Sequence, residues 1–219
     1  PGACEVVTVQ NGFEETATRN LGQFETFVRD SKSVDIIEKV VSRESAFLVD
    51  SVSSRKPFGL DSKARPSSTG SLRLVWSGGE GPLSSEMVSS GIQFVNKWKV
   101  LLSKSSYDHA GQADREGRRR IFSRIEVLPP GTVCTETYLV IGPYDTRAAA
   151  TNMATFLRTR LCRFLVSTIL FTQNIAKDRF RFVPSLPMEE VWTDERLYKR
   201  YGLTEEEIAF IESRIRPME

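Results

Sequence analysis

The chain has 219 residues, of which 40% are hydrophobic and 26% charged, and its formal net charge is +2. This composition is typical of a globular protein with a buried core, and the length suits one large domain or two small ones. The longest apolar run, around residues 161–171, is interrupted by Arg163, Ser167 and Thr168 and is shorter than the roughly 20 apolar residues of a membrane-spanning helix. The sequence therefore predicts no transmembrane segment and no membrane partner.

The cysteines and the single histidine limit the chemistry that the chain can perform. Cys4, Cys134 and Cys162 are an odd number of thiols without metal-ligand spacing, which is typical of buried, reduced cysteines and predicts a cytoplasmic protein. A lone histidine, His109, argues against most zinc sites and His-dependent catalysis. We expect His109 to lie in a loop and the chain to hold no metal ion.

Charge is distributed unevenly along the chain. Residues 1–96 hold ten Lys and Arg against twelve Asp and Glu, residues 97–181 hold fifteen against seven, and residues 182–219 hold five against nine. The net charges of the three segments are therefore −2, +8 and −4. A cationic middle segment between acidic ends indicates a localised anionic partner.

The first fifty residues predict a hairpin, or an edge extension of a sheet, followed by one helix. Apolar and polar residues alternate through residues 4–30 around a turn at residues 10–12, a pattern that is typical of paired strands. Residues 33–43 then predict a helix with Ser33 as its N-cap. The apolar face of this helix consists of Ile36, Ile37, Val40 and Val41.

The middle of the chain predicts loops and then a sheet. Residues 51–91 are rich in Ser, Gly and Pro and predict long loops around one strand at residues 72–76. Alternating patterns predict further strands at residues 97–104, 120–127 and 132–142.

Helices dominate the last third of the predicted structure. A long helix is expected after an N-cap at Asp145, followed by a short strand at residues 180–184 and two terminal helices over residues 192–202 and 203–215. The stripe of the long helix consists of Met153, Leu157, Leu161, Phe164 and Thr168.

This order of elements is typical of an α+β fold, with a mixed or antiparallel central sheet, a long packed helix and two C-terminal helices. We expect residues 1–50 to form an N-terminal β/α extension and residues 51–219 to form the α+β domain. Because the chain begins without Met or a signal-like segment, we also expect it to be part of a longer protein.

The densest positive charge lies in residues 114–124. Its arginines are Arg115, Arg118, Arg119, Arg120 and Arg124. Guanidinium groups match phosphate oxygens and guanine edges, so this cluster fits contact with nucleic acid. The alternative is a solvated face that is partly neutralised by Asp114 and Glu116.

Two further segments combine cations with other groups that suit DNA. Arg55 and Lys56 precede Pro57 in a rigid turn, although Phe58 could instead make this turn a structural corner with its ring in the core. In residues 172–184, amides that can bond adenine stand beside cations that suit phosphate. These groups are Gln173, Asn174, Lys177, Arg179 and Arg181. The alternative there is a helix end followed by a strand with buried phenylalanines.

The residues leave two other functions open. A nuclease would need carboxylates that hold a metal ion, and the nearest candidates are Asp108, Asp114, Glu126 and Glu136. A protein-interaction module would use the stripe of the long helix or the acidic terminal helices, although a stripe of this kind more often packs in a core. No Gly-rich phosphate-binding loop and no Asn/Asp-Pro-Pro-Tyr methyl-transfer motif occur in the sequence, so we expect no catalytic residues.

Five stretches of the sequence carry a family resemblance. They are SVSSRKPFGL, KVLLSKSSYDHAG, VCTETYLVIGPYDT, RFLVSTILFTQNIAKDRFRFVP and WTDERLYKRYGLTEEEIAFIESRIRPM. In this order they resemble the C-terminal half of adenine-specific DNA methyltransferases of bacterial restriction-modification systems, a group that includes fused methyltransferase-endonucleases. The resemblance covers most of residues 51–219 and is weaker in residues 1–50.

In that family an N-terminal domain binds S-adenosylmethionine and methylates adenine, while the C-terminal region selects the DNA sequence. The resemblance implies a noncatalytic target-recognition domain that binds double-stranded DNA and joins, through residues 1–50, an N-terminal methyltransferase domain of the same parent chain. It implies no cofactor in this chain and S-adenosylmethionine in the absent domain. The candidate DNA contacts are Arg55, Lys56, Lys104, Arg115, Arg118, Arg119, Arg120, Arg124, Gln173, Asn174, Lys177 and Arg179.

Overall fold

The computed structural model describes residues 2–10, 13–28, 30–108 and 113–218. Within these residues the chain forms eight β-strands in three sheets and six α-helices, so the predicted α+β class is confirmed. His109 lies outside the described residues. No helix in the described ranges is both long enough and apolar enough to cross a membrane.

The N-terminal residues form the predicted hairpin. Strand β1 (Ala3–Gln10) pairs antiparallel with β2 (Phe13–Asn20), while the turn residues 11 and 12 lie outside the described part of the chain. Helix α1 (Lys32–Val41) follows, but its N-cap is Ser31, not the predicted Ser33. The carboxylate of Asp30 accepts the Lys32 N–H and starts the helical turn two residues earlier, which leaves Ser33 buried inside the helix.

Two three-stranded sheets form the centre of the molecule. In the first, β5 (Trp98–Ser103) lies between β6 (Ile125–Leu128) and β8 (Tyr138–Tyr144), and all pairs are antiparallel. In the second, β3 (Leu72–Trp76) pairs antiparallel with β4 (Gly79–Leu83) and parallel with β7 (Thr132–Cys134). The prediction of antiparallel or mixed pairing is therefore confirmed.

Several predicted strands have different boundaries in the structure. Residues 132–142 are not one strand, because a turn between Thr135 and Tyr138 separates β7 from β8 and sends them into different sheets. The strand predicted at residues 120–127 begins only at Ile125. Ile121 has a positive φ of 70°, which breaks the alternation.

Two segments have secondary structure that the sequence patterns miss. The Gly-rich residues after β3 form β4 and a short helix, α2 (Ile92–Val95), where loops were predicted. The strand predicted at residues 180–184 is wrong, since Lys177–Phe180 form a 3-10 helix and the next residues continue as a loop. Phe180 and Phe182 are nevertheless buried, as the structural alternative expects.

The predicted long helix is two helices. Helix α3 (Arg147–Arg158) and helix α4 (Arg160–Ser167) meet at Thr159, whose extended backbone ends one helix and caps the next. The N-cap of α3 is Thr146, which accepts the Ala149 N–H, whereas the predicted cap Asp145 pairs with Lys97. The apolar stripe is buried along both helices, which confirms the core interpretation.

The two terminal helices form as predicted. Helix α5 (Asp194–Tyr201) ends at Gly202, which adopts the left-handed conformation that glycine tolerates best. Helix α6 (Glu205–Arg214) starts with the reciprocal capping box of Thr204 and Glu207.

Strand β5 separates two hydrophobic cores. Val100 and Leu102 face the larger core, which also contains α1 and helices α3 to α6, while Leu101 faces a smaller core around β3 and β7. Phe58 is fully buried in the smaller core, which confirms the structural-corner interpretation of its turn. Residues of α1 pack in the larger core, and the proposed domain boundary at residue 50 stays a prediction.

Candidate nucleic-acid interface

A surface cleft of about 880 Å³ lies beside the end of β5. Three segments that are distant in sequence line it: the 3-10 helix Leu48–Ser51 with the loop after it, the residue that follows β5, and residues 174–181. We call it the cationic cleft and define it by its polar side chains, Arg55, Lys104, Asn174, Lys177, Asp178 and Arg181. Val49, Leu139 and Ile175 provide apolar lining.

Backbone hydrogen bonds bring Lys104 and Asn174 to the same place. The Lys104 N–H donates to the Thr137 carbonyl at 3.1 Å, and the Lys104 carbonyl accepts the Ile175 N–H at 2.7 Å. Ser105 and Asn174 form the neighbouring β-bridge, and the Ile175 side chain is fully buried. An apolar anchor thus fixes the polar residues on either side of it at the surface.

The loop that carries Arg55 is fixed to the edge of β8. Ser53 donates its N–H to the Val140 carbonyl at 2.8 Å and accepts the Val140 N–H on its hydroxyl at 2.9 Å. The Arg55 side chain is 77% exposed, and its Nε lies 3.1 Å from Glu136 Oε2. Glu136 is mostly buried, but the Arg55 guanidinium stands largely in solvent, so N–H groups other than Nε can reach a phosphate.

The electrostatics of the cleft favour an anion. Burial, reinforced by the positive charge of Arg55, lowers the pKa of Lys104 from its ordinary value, while Glu136 opposes this effect. In the described part of the chain, neither Lys104 nor Lys177 forms a salt bridge, whereas the Asp178 carboxylate pairs with Arg179 at 3.3 Å. Positive charge in the cleft is therefore incompletely compensated.

The other predicted residues of the 172–181 segment have different environments. Gln173 is exposed, and its carbonyl accepts the Ser106 N–H at 2.8 Å. Arg179 is not part of the cleft lining. It pairs with Asp178 and donates to the Ile169 carbonyl at 2.9 Å, so it holds the chain after α4. Arg181 lines the cleft and donates to Thr26 Oγ1 at 2.6 Å. The sequence analysis identified it as one of the cations that suit phosphate.

Lys56 is exposed next to Arg55 but is not part of the cleft lining. The cationic cleft therefore contains only some of the predicted DNA-contact residues. The cleft collects Arg55, Lys104, Asn174 and Lys177.

The arginine cluster of residues 115–124 is largely engaged within the protein. Arg118 pairs with Glu116 and approaches Asp114, and Arg124 donates from Nε to Glu126 at 2.9 Å and from Nη1 to Tyr138 at 3.0 Å. Neutralisation by Asp114 and Glu116, the alternative that the sequence left open, is therefore found for Arg118, whereas Arg124 pairs with Glu126. Arg115 is exposed.

Arg119 and Arg120 meet the C-terminal segment. The backbone of Arg119 exchanges hydrogen bonds with residues on either side of Ile215. The Arg120 guanidinium stacks on Tyr107, with 4.6 Å between its carbon and the ring centroid, and Arg216 stacks on the same ring at 4.8 Å. The sequence analysis misses Tyr107 and Arg216 because their contact joins segments that are far apart in the sequence. The one signal that could have indicated Arg216 was its positive charge within the acidic C-terminal segment.

The carboxylates considered for a nuclease are occupied elsewhere. Asp108 accepts the backbone N–H groups of Arg120 and Ile121 at 3.0 and 2.7 Å, and Glu126 and Glu136 pair with arginines. The described residues contain no group of three or more His, Cys, Asp or Glu side chains that could hold a metal ion.

A scan against protein-family models found no match to this chain, and neither did a search of curated proteins. The resemblance to the recognition region of adenine-specific DNA methyltransferases therefore stays a prediction. The function is inferred from the geometry and charge of the cationic cleft.

Proposed function

We propose that the chain binds double-stranded DNA in the cationic cleft and selects the DNA sequence for an adenine-specific methyltransferase or restriction-modification enzyme. One observation carries this proposal. Arg55, Lys104 and Lys177 come from three distant segments and converge with Arg181 on one cleft, where two of the four cations form no salt bridge within the described residues.

Phosphate contacts supply most of the affinity in such a complex. Each phosphate that a cation neutralises releases condensed counterions, so the logarithm of the binding constant falls by about 0.9 per phosphate for each unit of log salt. The Asn174 amide suits a bidentate contact to adenine and lies in the same cleft. The cleft therefore combines groups that position a duplex with a group that reads a base.

The family resemblance supports the remaining parts of the proposal. The catalytic step belongs to an N-terminal methyltransferase domain of the same parent chain, which binds S-adenosylmethionine and acts on DNA that this chain holds. The chain itself is noncatalytic, and the complex works in the bacterial cytoplasm.

The proposal is tested by fluorescence anisotropy of a labelled duplex at several salt concentrations, with the double variant Lys104→Gln/Lys177→Gln. We expect weaker binding to every sequence and a salt slope that is flatter by about two, one for each lost phosphate contact. The matched control is Lys97→Gln/Lys199→Gln, which makes the same charge change at two exposed lysines outside the cleft lining. Equal effects in the two variants would show non-specific attraction and contradict the assignment of the cleft.

Absence of binding by the wild-type chain at low salt would contradict the proposal as a whole. A protein-interaction module would then be the remaining interpretation, and size-exclusion chromatography with a separately expressed methyltransferase domain would test it.

A further inference from the structure

Tyr107 lies at the surface in the middle of a second cationic site. The residue is 47% exposed, and the guanidinium carbons of Arg120 and Arg216 lie 4.6 and 4.8 Å from its ring centroid. We call these three residues the arginine–tyrosine site. Among the described residues neither guanidinium forms a salt bridge, so two positive charges meet on one exposed ring. A hydrogen bond from Arg216 and the charges of Arg216 and Arg120 lower the pKa of Tyr107.

Buried side chains hold the backbone of the arginine–tyrosine site in place. Arg163 is fully buried, and its Nη1 donates to the Arg216 carbonyl at 2.8 Å and to the Arg120 carbonyl at 3.2 Å. The Asp108 carboxylate accepts the Arg120 and Ile121 N–H groups. The backbones that carry the two arginines are therefore tied to one buried guanidinium.

Backbone strain marks the same place. Ile121 has a φ of 70°, in the left-handed region that a β-branched residue rarely adopts, and its side chain is buried. Its carbonyl accepts the Tyr107 N–H at 3.0 Å and the Ser106 hydroxyl at 2.9 Å. Strained residues that persist because their surroundings impose them occur frequently at binding sites, where they preorganise the contact groups.

The arginine–tyrosine site and the cationic cleft belong to one strip of surface. Tyr107 is three residues after Lys104, which places their Cα atoms at most about 11 Å apart. The strip between them is tied to the 172–174 segment by the Ser105 and Asn174 bridge and by the Ser106 N–H, which donates to the Gln173 carbonyl. Because one DNA strand advances about 3.4 Å per nucleotide along the helix axis, this separation covers at most about three nucleotides.

We propose that the arginine–tyrosine site binds a backbone phosphate of the same duplex, within about three nucleotides of the phosphates in the cationic cleft. Guanidinium forks match phosphate oxygens, and the tyrosine hydroxyl supplies a further hydrogen-bond donor. The fixed backbones reduce the ordering that binding requires. This inference rests on the proposed function, since it assigns a second contact to the same bound DNA.

The test compares Arg120→Gln/Arg216→Gln with wild type by anisotropy of the labelled duplex at several salt concentrations. We expect at least about a tenfold loss of affinity near 0.1 M salt and a salt slope that is flatter by about two. The matched control is Arg196→Gln/Arg200→Gln. Those arginines also stack on an aromatic ring, that of Trp192 at 4.8 and 5.5 Å, but they pair with carboxylates.

The outcomes separate this inference from the proposed function. If wild type binds DNA and Lys104→Gln/Lys177→Gln weakens binding, while Arg120→Gln/Arg216→Gln stays within about twofold of wild type, only the arginine–tyrosine site is refuted. If wild type binds no DNA, both are refuted. Loss of inorganic phosphate binding in the variant, with unchanged DNA affinity, would assign the site to a free anion and also overturn the inference.

Circular dichroism checks that the double variant is folded. If it is not, Arg216→Gln alone carries the test, because Arg216 follows the last helix and its guanidinium stacks on Tyr107. The expected slope is then flatter by about one, and an unchanged slope would overturn the inference.

Discussion

Asn174 shows at the scale of a single residue how the fold turns a polar side chain into a candidate base reader. Its backbone pairs with Ser105, the next residue is fully buried, and its own side chain is exposed in the cationic cleft. An amide that makes two hydrogen bonds to adenine discriminates against other bases by about 1–3 kcal/mol.

We therefore expect Asn174→Ala to relax sequence preference without changing the salt slope, because no phosphate contact is lost. The preferred sequence is first selected from a random duplex pool with the wild-type chain, and affinities for that sequence and for single-base variants are then compared. Gln173→Ala is the control, since Gln173 is exposed but lies outside the cleft lining. Retained discrimination at every position in Asn174→Ala would contradict a base-reading role.

Arg163 is a residue whose role could not be predicted from its neighbours. In the sequence it interrupts an apolar run, yet it is fully buried and donates to the carbonyls of Arg158, Thr159, Arg120 and Arg216. Burial lowers its pKa to about 10. The acceptors come from three segments of the chain, so only their tertiary arrangement makes a buried guanidinium acceptable.

At the scale of elements, local signals locate the ends of α5 and α6 correctly but misplace the N-caps of α1 and α3. The capping box of α6 and the glycine end of α5 join hydrogen-bonding groups that lie within a few residues of each other, so the sequence suffices to place these two helices. The break between α3 and α4 was not predicted. The apolar stripe continues across Thr159, and no proline or glycine marks the interruption.

The break is stabilised by a side chain from another helix. Asp194, the first residue of α5, accepts the N–H groups of Arg160 and Leu161 at 3.0 and 3.1 Å, and Thr159 accepts that of Cys162. The first turn of α4 thus has acceptors for its otherwise unpaired donors.

We expect Asp194→Ala to lower the free energy of unfolding by about 1–3 kcal/mol, because two partly buried N–H groups lose their acceptor. Urea unfolding followed by circular dichroism measures the change. The control Glu195→Ala removes an exposed carboxylate from the same turn of α5 and should lower stability by less than Asp194→Ala, because solvent screens its hydrogen bond with Thr193. Equal effects would show that the cap of α4 contributes nothing specific.

At the scale of the whole molecule, β5 joins the two cores. Its side chains are buried on both faces, and Lys99 is buried with them. The Lys99 ammonium donates to the carbonyls of Val95, Lys97 and Pro129 at 3.2, 2.9 and 3.2 Å. Lys99 lies on the same face of β5 as Leu101, and the smaller core covers that face.

Burial lowers the pKa of Lys99 to about 8, below its ordinary value of 10.5. Between these two pH values the unfolded chain binds more protons than the folded chain. The contribution of Lys99 to the free energy of unfolding therefore increases as the pH rises. Because Lys99→Met removes the group, we expect the stability of wild type relative to the variant to rise by about 1 kcal/mol between about pH 7.5 and pH 9.

Urea unfolding of both proteins at the two pH values measures this difference. Burial raises the pKa of Cys134 to about 12, and this thiol opposes the trend at higher pH, but it is present in both proteins. The control Leu101→Ala destabilises the same strand without removing a charge, so its pH curve should run parallel to that of wild type. A parallel curve for Lys99→Met would contradict the expected linkage.

The sequence by itself determined the α+β class, the hairpin, most helices and the strands β3 and β5, because periodicity depends on neighbouring residues. It also identified Arg55, Lys104, Asn174 and Lys177 as candidate contacts from their chemistry. Only the tertiary structure decided which cations share a cleft, which arginines are engaged by Glu116, Glu126 or carbonyl groups, and that Arg120 and Arg216 meet on Tyr107. The physical reason is that ion pairing, burial and stacking depend on distances between segments that the sequence order does not specify.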